Sequence, residues 1–200
     1  MATERQSPDA LLQQDNLSGS LSDIQDDPDS PDANWLTHIT NNVDTVCLVS
    51  FPTPTGNPTE GVDLQEFRIW VRQQPDGAGA DPTVSISLYE GGFLVSEVLA
   101  TTAVSSTTGA LYSGTWNANL LSTPDGSNVE CYIYGSAVGG APGNRCTVEV
   151  GAVEWNVDYT TGPILNAYNQ ILYTSEPPTP SAWNQVKQEA ETGWKKLLYT

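Results

Sequence analysis

Any chemistry in this 200-residue chain has to be drawn from one histidine, three cysteines and 24 acidic residues, set against seven basic ones. His38 would have to serve any nucleophilic triad, because Ser/His/Asp and Cys/His arrangements both need an imidazole base. It stands in NWLTHITNN (34–42) with no nucleophile signature beside it, so a structural or surface histidine is expected. Asp23, Asp26, Asp27, Asp29 and Asp32 offer the hard oxygen ligands that calcium prefers. Counted from Asp23, however, the glycine position of a calcium loop is Pro28 and the bidentate-glutamate position is Asn34. The run therefore reads as a solvated acidic stretch.

Glu130, Glu149 and Glu154 lie on strands expected to be close, where a glycosidase pair could sit, but each falls on an outward-facing parity. GGAPGN and DGAGADP have no helix after them, so neither is a phosphate cradle. Cys47, Cys131 and Cys146 form no C-x-x-C pair and no metal-spaced cluster. They read as small buried hydrophobes, with a Cys131–Cys146 bridge as the alternative. No catalytic residue, no cofactor and no metal is expected.

Aromatic residues give the more useful signal. Trp70, Tyr89, Tyr112, Trp116, Tyr132 and Tyr134 fall on strand faces or ends opposite the main aliphatic set. Such a row could stack on sugar rings, or it could serve packing or a protein interface.

The elements that must carry these residues are strands. Only 16% of residues are charged, while Gly (17) and Pro (14) are plentiful, a turn-rich all-β composition. Period-two alternation predicts strands at Thr45–Phe51, Leu64–Gln73, Thr83–Glu90, Phe93–Thr102, Ala110–Trp116, Val129–Ser136 and Cys146–Tyr159. Gly91–Gly92 predicts a tight hairpin turn. In the last strand Val148 and Val150 share one parity and Val153, Trp155 and Val157 the other, so a β-bulge is expected at Gly151. The fold class is an antiparallel β-sandwich, jelly-roll-like, spanning 35–160.

Residues 1–34 read as an acidic extended arm, with one helical turn at 10–14 and too little apolar content to order alone. A surface connector over 161–180 leads to an amphipathic helix in 181–200, capped by Ser181. Leu17, Leu21 and Ile24 of the arm, Trp35, and Trp183, Val186, Trp194 and Leu197 of the helix are the candidate partner contacts.

Net charge is −17. That disfavours nucleic acid and anionic membrane surfaces, both of which are bound through positive charge. No run of 18 apolar residues is present and the N-terminus lacks a signal-peptide pattern, so a chain made in a cytoplasm and remaining soluble is expected.

DDPDSPDANWLT (26–37), VSFPTPTGNPTEG (49–61) and VEVGAVEWNVDY (148–159) resemble segments of tailed-bacteriophage virion proteins. The resemblance implies a non-enzymatic capsid decoration, or cement, protein on the outer surface of the head. Its partner would be the major capsid protein, and it would form a homo-oligomer, with a trimer favoured. The alternative is a carbohydrate- or receptor-binding β-sandwich module of the phage tail.

Overall fold

Alternating apolar and polar residues set eleven strands in the computed structural model, which describes residues 2–41, 43–60, 65–75, 80–137 and 146–159. The described residues all belong to the first of two units, Met1–Thr161; the second, Gly162–Thr200, lies outside them. The strands are β1 (Ala2–Gln6), β2 (Ala10–Asp15), β3 (Leu17–Ser18), β4 (Thr37–His38), β5 (Thr45–Ser50) and β6 (Gln65–Gln73), followed by β7 (Thr83–Glu90), β8 (Phe93–Ala103), β9 (Ala110–Trp116), β10 (Val129–Ser136) and β11 (Val148–Tyr159). A four-stranded sheet runs β1–β11–β6–β9 and a five-stranded sheet β2–β5–β10–β7–β8; β3 and β4 form a short ribbon. All pairings are antiparallel.

The seven strands expected from alternation are all present. Gly91 and Gly92 have φ of 57° and 83°, as the β7–β8 turn requires. The register of β11 on β6 shifts between Val150 and Ala152, placing the bulge at Gly151. The shift keeps Val148 and Val150 inward before it and Val153, Trp155 and Val157 inward after it.

The core between the sheets is aliphatic at one end and aromatic at the other. Phe51, Phe67, Trp116 and Trp155 form one cluster, with centroid separations of 5.5–6.5 Å. Truncating any of these rings to alanine is expected to cost about 3–5 kcal/mol.

The N-terminal segment departs from the sequence reading. Residues 10–14 are strand, not a helical turn. β1 pairs with the last five residues of β11, and β2 pairs with β5 in the opposite sheet. Beyond Gln6 the edge of β11 would be unpaired. Leu36 fills it, donating its N–H to the Val150 carbonyl at 2.7 Å and accepting from the Val150 N–H at 3.3 Å. The Val153 N–H, just past the bulge, donates to the Ile24 carbonyl at 3.0 Å. Leu17, Ile24 and Leu36 are thereby buried in the main core, with Leu21 packed against it. The few apolar residues of 1–34 suffice because the sandwich supplies a surface for them. The expected helix and connector lie outside the described residues, and among those residues no helix is long and apolar enough to cross a membrane.

Leu17→Ala and Ile24→Ala should each lower unfolding free energy by about 2–5 kcal/mol in urea titrations. Leu12→Ala, at an exposed position, should change it by no more than about 0.5 kcal/mol. Losses of no more than about 0.5 kcal/mol at all three sites would show that the segment does not contribute to the core.

Candidate functional site

The outer face of the five-stranded sheet is fixed by the alternation that fills the core. On β10, Val129, Cys131 and Ile133 are buried inward, so Glu130, Tyr132 and Tyr134 point outward. On β7, Val84, Ile86 and Leu88 are buried, leaving Ser85, Ser87 and Tyr89 outside. Pairing then assembles a row across all five strands. Gln13 opposes Leu48, Leu48 opposes Tyr132, Tyr132 opposes Ser87 and Ser87 opposes Glu97. In the next row Asp15 opposes Val46 and Val46 opposes Tyr134.

Tyr89 lies one diagonal from Tyr132, and the two rings stack with centroids 5.1 Å apart and planes 27° apart. A two-ring stack leaves one face of each ring uncovered by the other. Both tyrosines are only partly buried. Burial, and then the nearby Tyr89 and Asp15, hold the Tyr132 hydroxyl above the ordinary phenol range. The Tyr134 hydroxyl donates to Asp44 Oδ2, and that hydrogen bond, followed by burial, raises it too. Both hydroxyls therefore stay protonated, and neutral, at physiological pH.

The rim of the face is fastened by carboxylates. Glu130 Oε2 accepts the Gly92 N–H at 2.9 Å. Glu90 accepts the Ser122 N–H at 2.8 Å, the Ser122 hydroxyl at 2.7 Å, the Thr123 N–H at 2.7 Å and the Thr123 hydroxyl. Burial pushes the Glu90 carboxyl up, but these donors outweigh it and hold it at about 2. The hairpin so anchored displays Phe93 and Leu94, 78% and 63% exposed. Leu94 opposes Tyr89 and continues the aromatic face toward the hairpin tip.

The expected aromatic row splits three ways. Tyr89, Tyr132 and Tyr134 share this face. Trp70 lies on the other sheet, its indole against the Gly109 backbone. Trp116 is not exposed at all: it stacks on Trp155 in the core. Tyr112 also faces inward, packed against the core and donating its hydroxyl to the Ala103 carbonyl at 3.0 Å. In β9, ALYSGTW, the aromatic parity goes inward while Leu111 is left exposed, the reverse of the assignment by aliphatic content.

The candidate partner contacts are also redistributed. Leu17 and Ile24 are core residues. Trp35 lies 4.1 Å from the Arg72 guanidinium and packs over Gly151, where a Cβ would come within 2.8 Å of its ring. Trp183, Val186, Trp194 and Leu197 lie outside the described residues.

The outward-parity glutamates are not solvated. Glu149 accepts from Arg72 Nε at 2.7 Å and sits 2.6 Å from His38 Nδ1. Glu154 accepts from Arg68 Nη1 at 3.0 Å, and Arg68 also pairs with Asp29. Arg5 bonds Asp27 and Asp29 at 3.2 and 3.1 Å. These pairs clamp the segment before β4 across the outer face of the four-stranded sheet. The sequence reading missed them because burial of an outward parity depends on which distant loop covers it. His38 and the acidic run are thus structural. Among the described residues no group of His, Cys, Asp and Glu could hold a metal ion. Cys47, Cys131 and Cys146 are buried and free, and no Cys131–Cys146 bridge forms. Burial pushes the Cys47 thiol up to about 12, so it is not a thiolate nucleophile.

No protein-family model matches the chain, and no curated protein matches it in sequence. Among solved structures it is similar to the C-terminal CBM6 of LamC, a marine laminarinase from Zobellia galactanivorans. Identity is 12% and the TM-score 0.40, over 78% of this chain and 100% of that one. It is also similar to the CBM22-1 xylan-binding domain of Paenibacillus barcinonensis Xyn10C, at 11% identity and a TM-score of 0.32, over 78% and 98%. Both scores are too low to transfer a ligand from those proteins to this one.

Because Glu90 is held at about 2, its contribution to stability is complete above the unfolded value of about 4.3 and is lost as pH falls through 2. A carbon-detected NMR titration should place its midpoint near 2, with the Ser122 and Thr123 amide shifts following it. A midpoint near about 4.3 would show that the hairpin is not fastened there.

Proposed function

We propose that this protein is a non-catalytic β-sandwich module that binds carbohydrate through the outer face of its five-stranded sheet. The observation that carries the reading is the partly exposed Tyr89–Tyr132 stack, flanked by Tyr134 on the same strand as Tyr132. Sugar rings present apolar C–H faces bordered by hydroxyls. They suit a surface where aromatic rings supply the apolar contact and polar groups lie alongside. Gln13, Asp15, Ser85, Ser87 and Glu97 border the tyrosines here. The groups that acid–base catalysis would need are already engaged under the N-terminal segment: His38 is hydrogen-bonded to Glu149, and Glu149 and Glu154 are paired with Arg72 and Arg68.

The resemblance to virion proteins is compatible with such a module as the carbohydrate- or receptor-binding part of a phage tail. The capsid-cement reading loses support in one respect. Three of its eight candidate partner contacts, Leu17, Leu21 and Ile24, lie in residues 1–34, and Leu17 and Ile24 are spent on this protein's own core.

The test is affinity electrophoresis against immobilised polysaccharides, followed by calorimetry on the best ligand. Tyr132→Ala should weaken binding at least about tenfold, or about 1.4 kcal/mol, with the fold retained. Trp70→Ala, on the opposite sheet, should leave affinity unchanged. Affinity lost in Trp70→Ala and kept in Tyr132→Ala would refute the assignment.

A further inference from the structure

We infer that the ligand of this face is an uncharged saccharide chain lying across the strands, and that anionic glycans are excluded; this rests on the carbohydrate-binding reading above. The distribution of cations carries the inference. Among the described residues the only lysines or arginines are Arg5, Arg68 and Arg72. All three are on the four-stranded sheet, each paired with a carboxylate: Arg5 with Asp27, Arg68 with Asp29 and Glu154, Arg72 with Glu149. His38, the only histidine, is held by Glu149 on that same side.

The tyrosine face has the opposite character. Its described charged groups include Asp9 beside Ser50, Asp15 on β2, Asp44 beside Tyr134, Glu97 on β8 and Glu130 under the hairpin. Uronates and sulfated sugars are recognised by charge-assisted hydrogen bonds from cations, arginine above all. Here such a ligand would bring its negative charge against carboxylates. A neutral chain meets no such repulsion, and its hydroxyls are donors that Asp15 and Glu97 can accept.

Extent gives the second part. Gln13 and Glu97 stand at the two ends of a row five strands wide, with Tyr132 in the middle. At about 4.8 Å per strand the row spans roughly 19 Å, longer than one sugar ring. Asp15 and Glu97 therefore reach different units of one oligosaccharide while the tyrosines hold the units between them. Asp15 is itself oriented by Gln13, whose Nε2 donates to it at 2.5 Å.

The experiment uses the full chain, a panel of neutral β-glucan, xylan and mannan, and a panel of alginate, pectate and a sulfated galactan, each at low and high salt. At least one neutral polysaccharide should bind, with an affinity that does not change with salt. The anionic panel should not bind even at low salt. The double variant D15N/E97Q should lose about five- to tenfold in affinity for the neutral ligand. Tyr132→Ala should lose at least as much. Salt-sensitive binding of an anionic glycan, or an unchanged affinity in D15N/E97Q, would overturn the inference and leave the carbohydrate-binding reading standing. Failure of both panels would overturn the carbohydrate-binding reading and the inference with it.

Discussion

The unpaired edge of β11 is the constraint on which the rest of this structure depends. β11 is the longest strand, and β1 covers only its last five residues before crossing to the other sheet. A buried backbone donor or acceptor without a partner costs as much as a lost hydrogen bond, so the remaining edge has to be met. Leu36 and Ile24 meet it, and the bulge at Gly151 presents the Val153 N–H to Ile24. Once those backbone bonds form, Leu17, Ile24 and Leu36 close the open side of the sandwich. A segment with the composition of a disordered arm thus becomes part of the core.

The same closure makes the two outer faces unlike. The segment that runs along β11 brings Asp27, Asp29, Trp35 and His38 over the four-stranded sheet, where Arg5, Arg68 and Arg72 receive them. An exposed ion pair is worth little, but Arg68 and Glu154 are nearly buried and each keeps the other from being an uncompensated charge. The described positive charge is thereby consumed on one side. The five-stranded sheet keeps its tyrosines and its carboxylates, and that asymmetry is the basis of the functional reading.

Much of the fold was legible in the sequence, because strand parity is a local property. The seven strands of 45–159, the Gly91–Gly92 turn and the phase change at Gly151 can each be read within a dozen residues. What was not legible depends on distant pairing. Nothing near Leu17 or Ile24 indicates that β11 lacks a partner more than a hundred positions later. For the aromatic set, parity separates two faces but does not say which one is the core when both carry large side chains. On β7 and β10 the Val, Ile and Cys of one parity mark the inward side, which leaves Tyr89, Tyr132 and Tyr134 on the outer face. On β9 Leu111 is a misleading inward signal, and Trp116 and Tyr112 take the inward side instead. Trp70 lies on the opposite sheet, and parity carries no information about which sheet a strand joins.

The most direct measurement of the central claim is amide and aromatic chemical-shift mapping with a short neutral oligosaccharide added to labelled protein. The account predicts perturbations concentrated on Tyr89, Tyr132, Tyr134, Gln13, Asp15 and Glu97, with the four-stranded sheet unchanged. Perturbations centred instead on Trp35, Trp70 and Arg72, or none at saturating sugar, would contradict it.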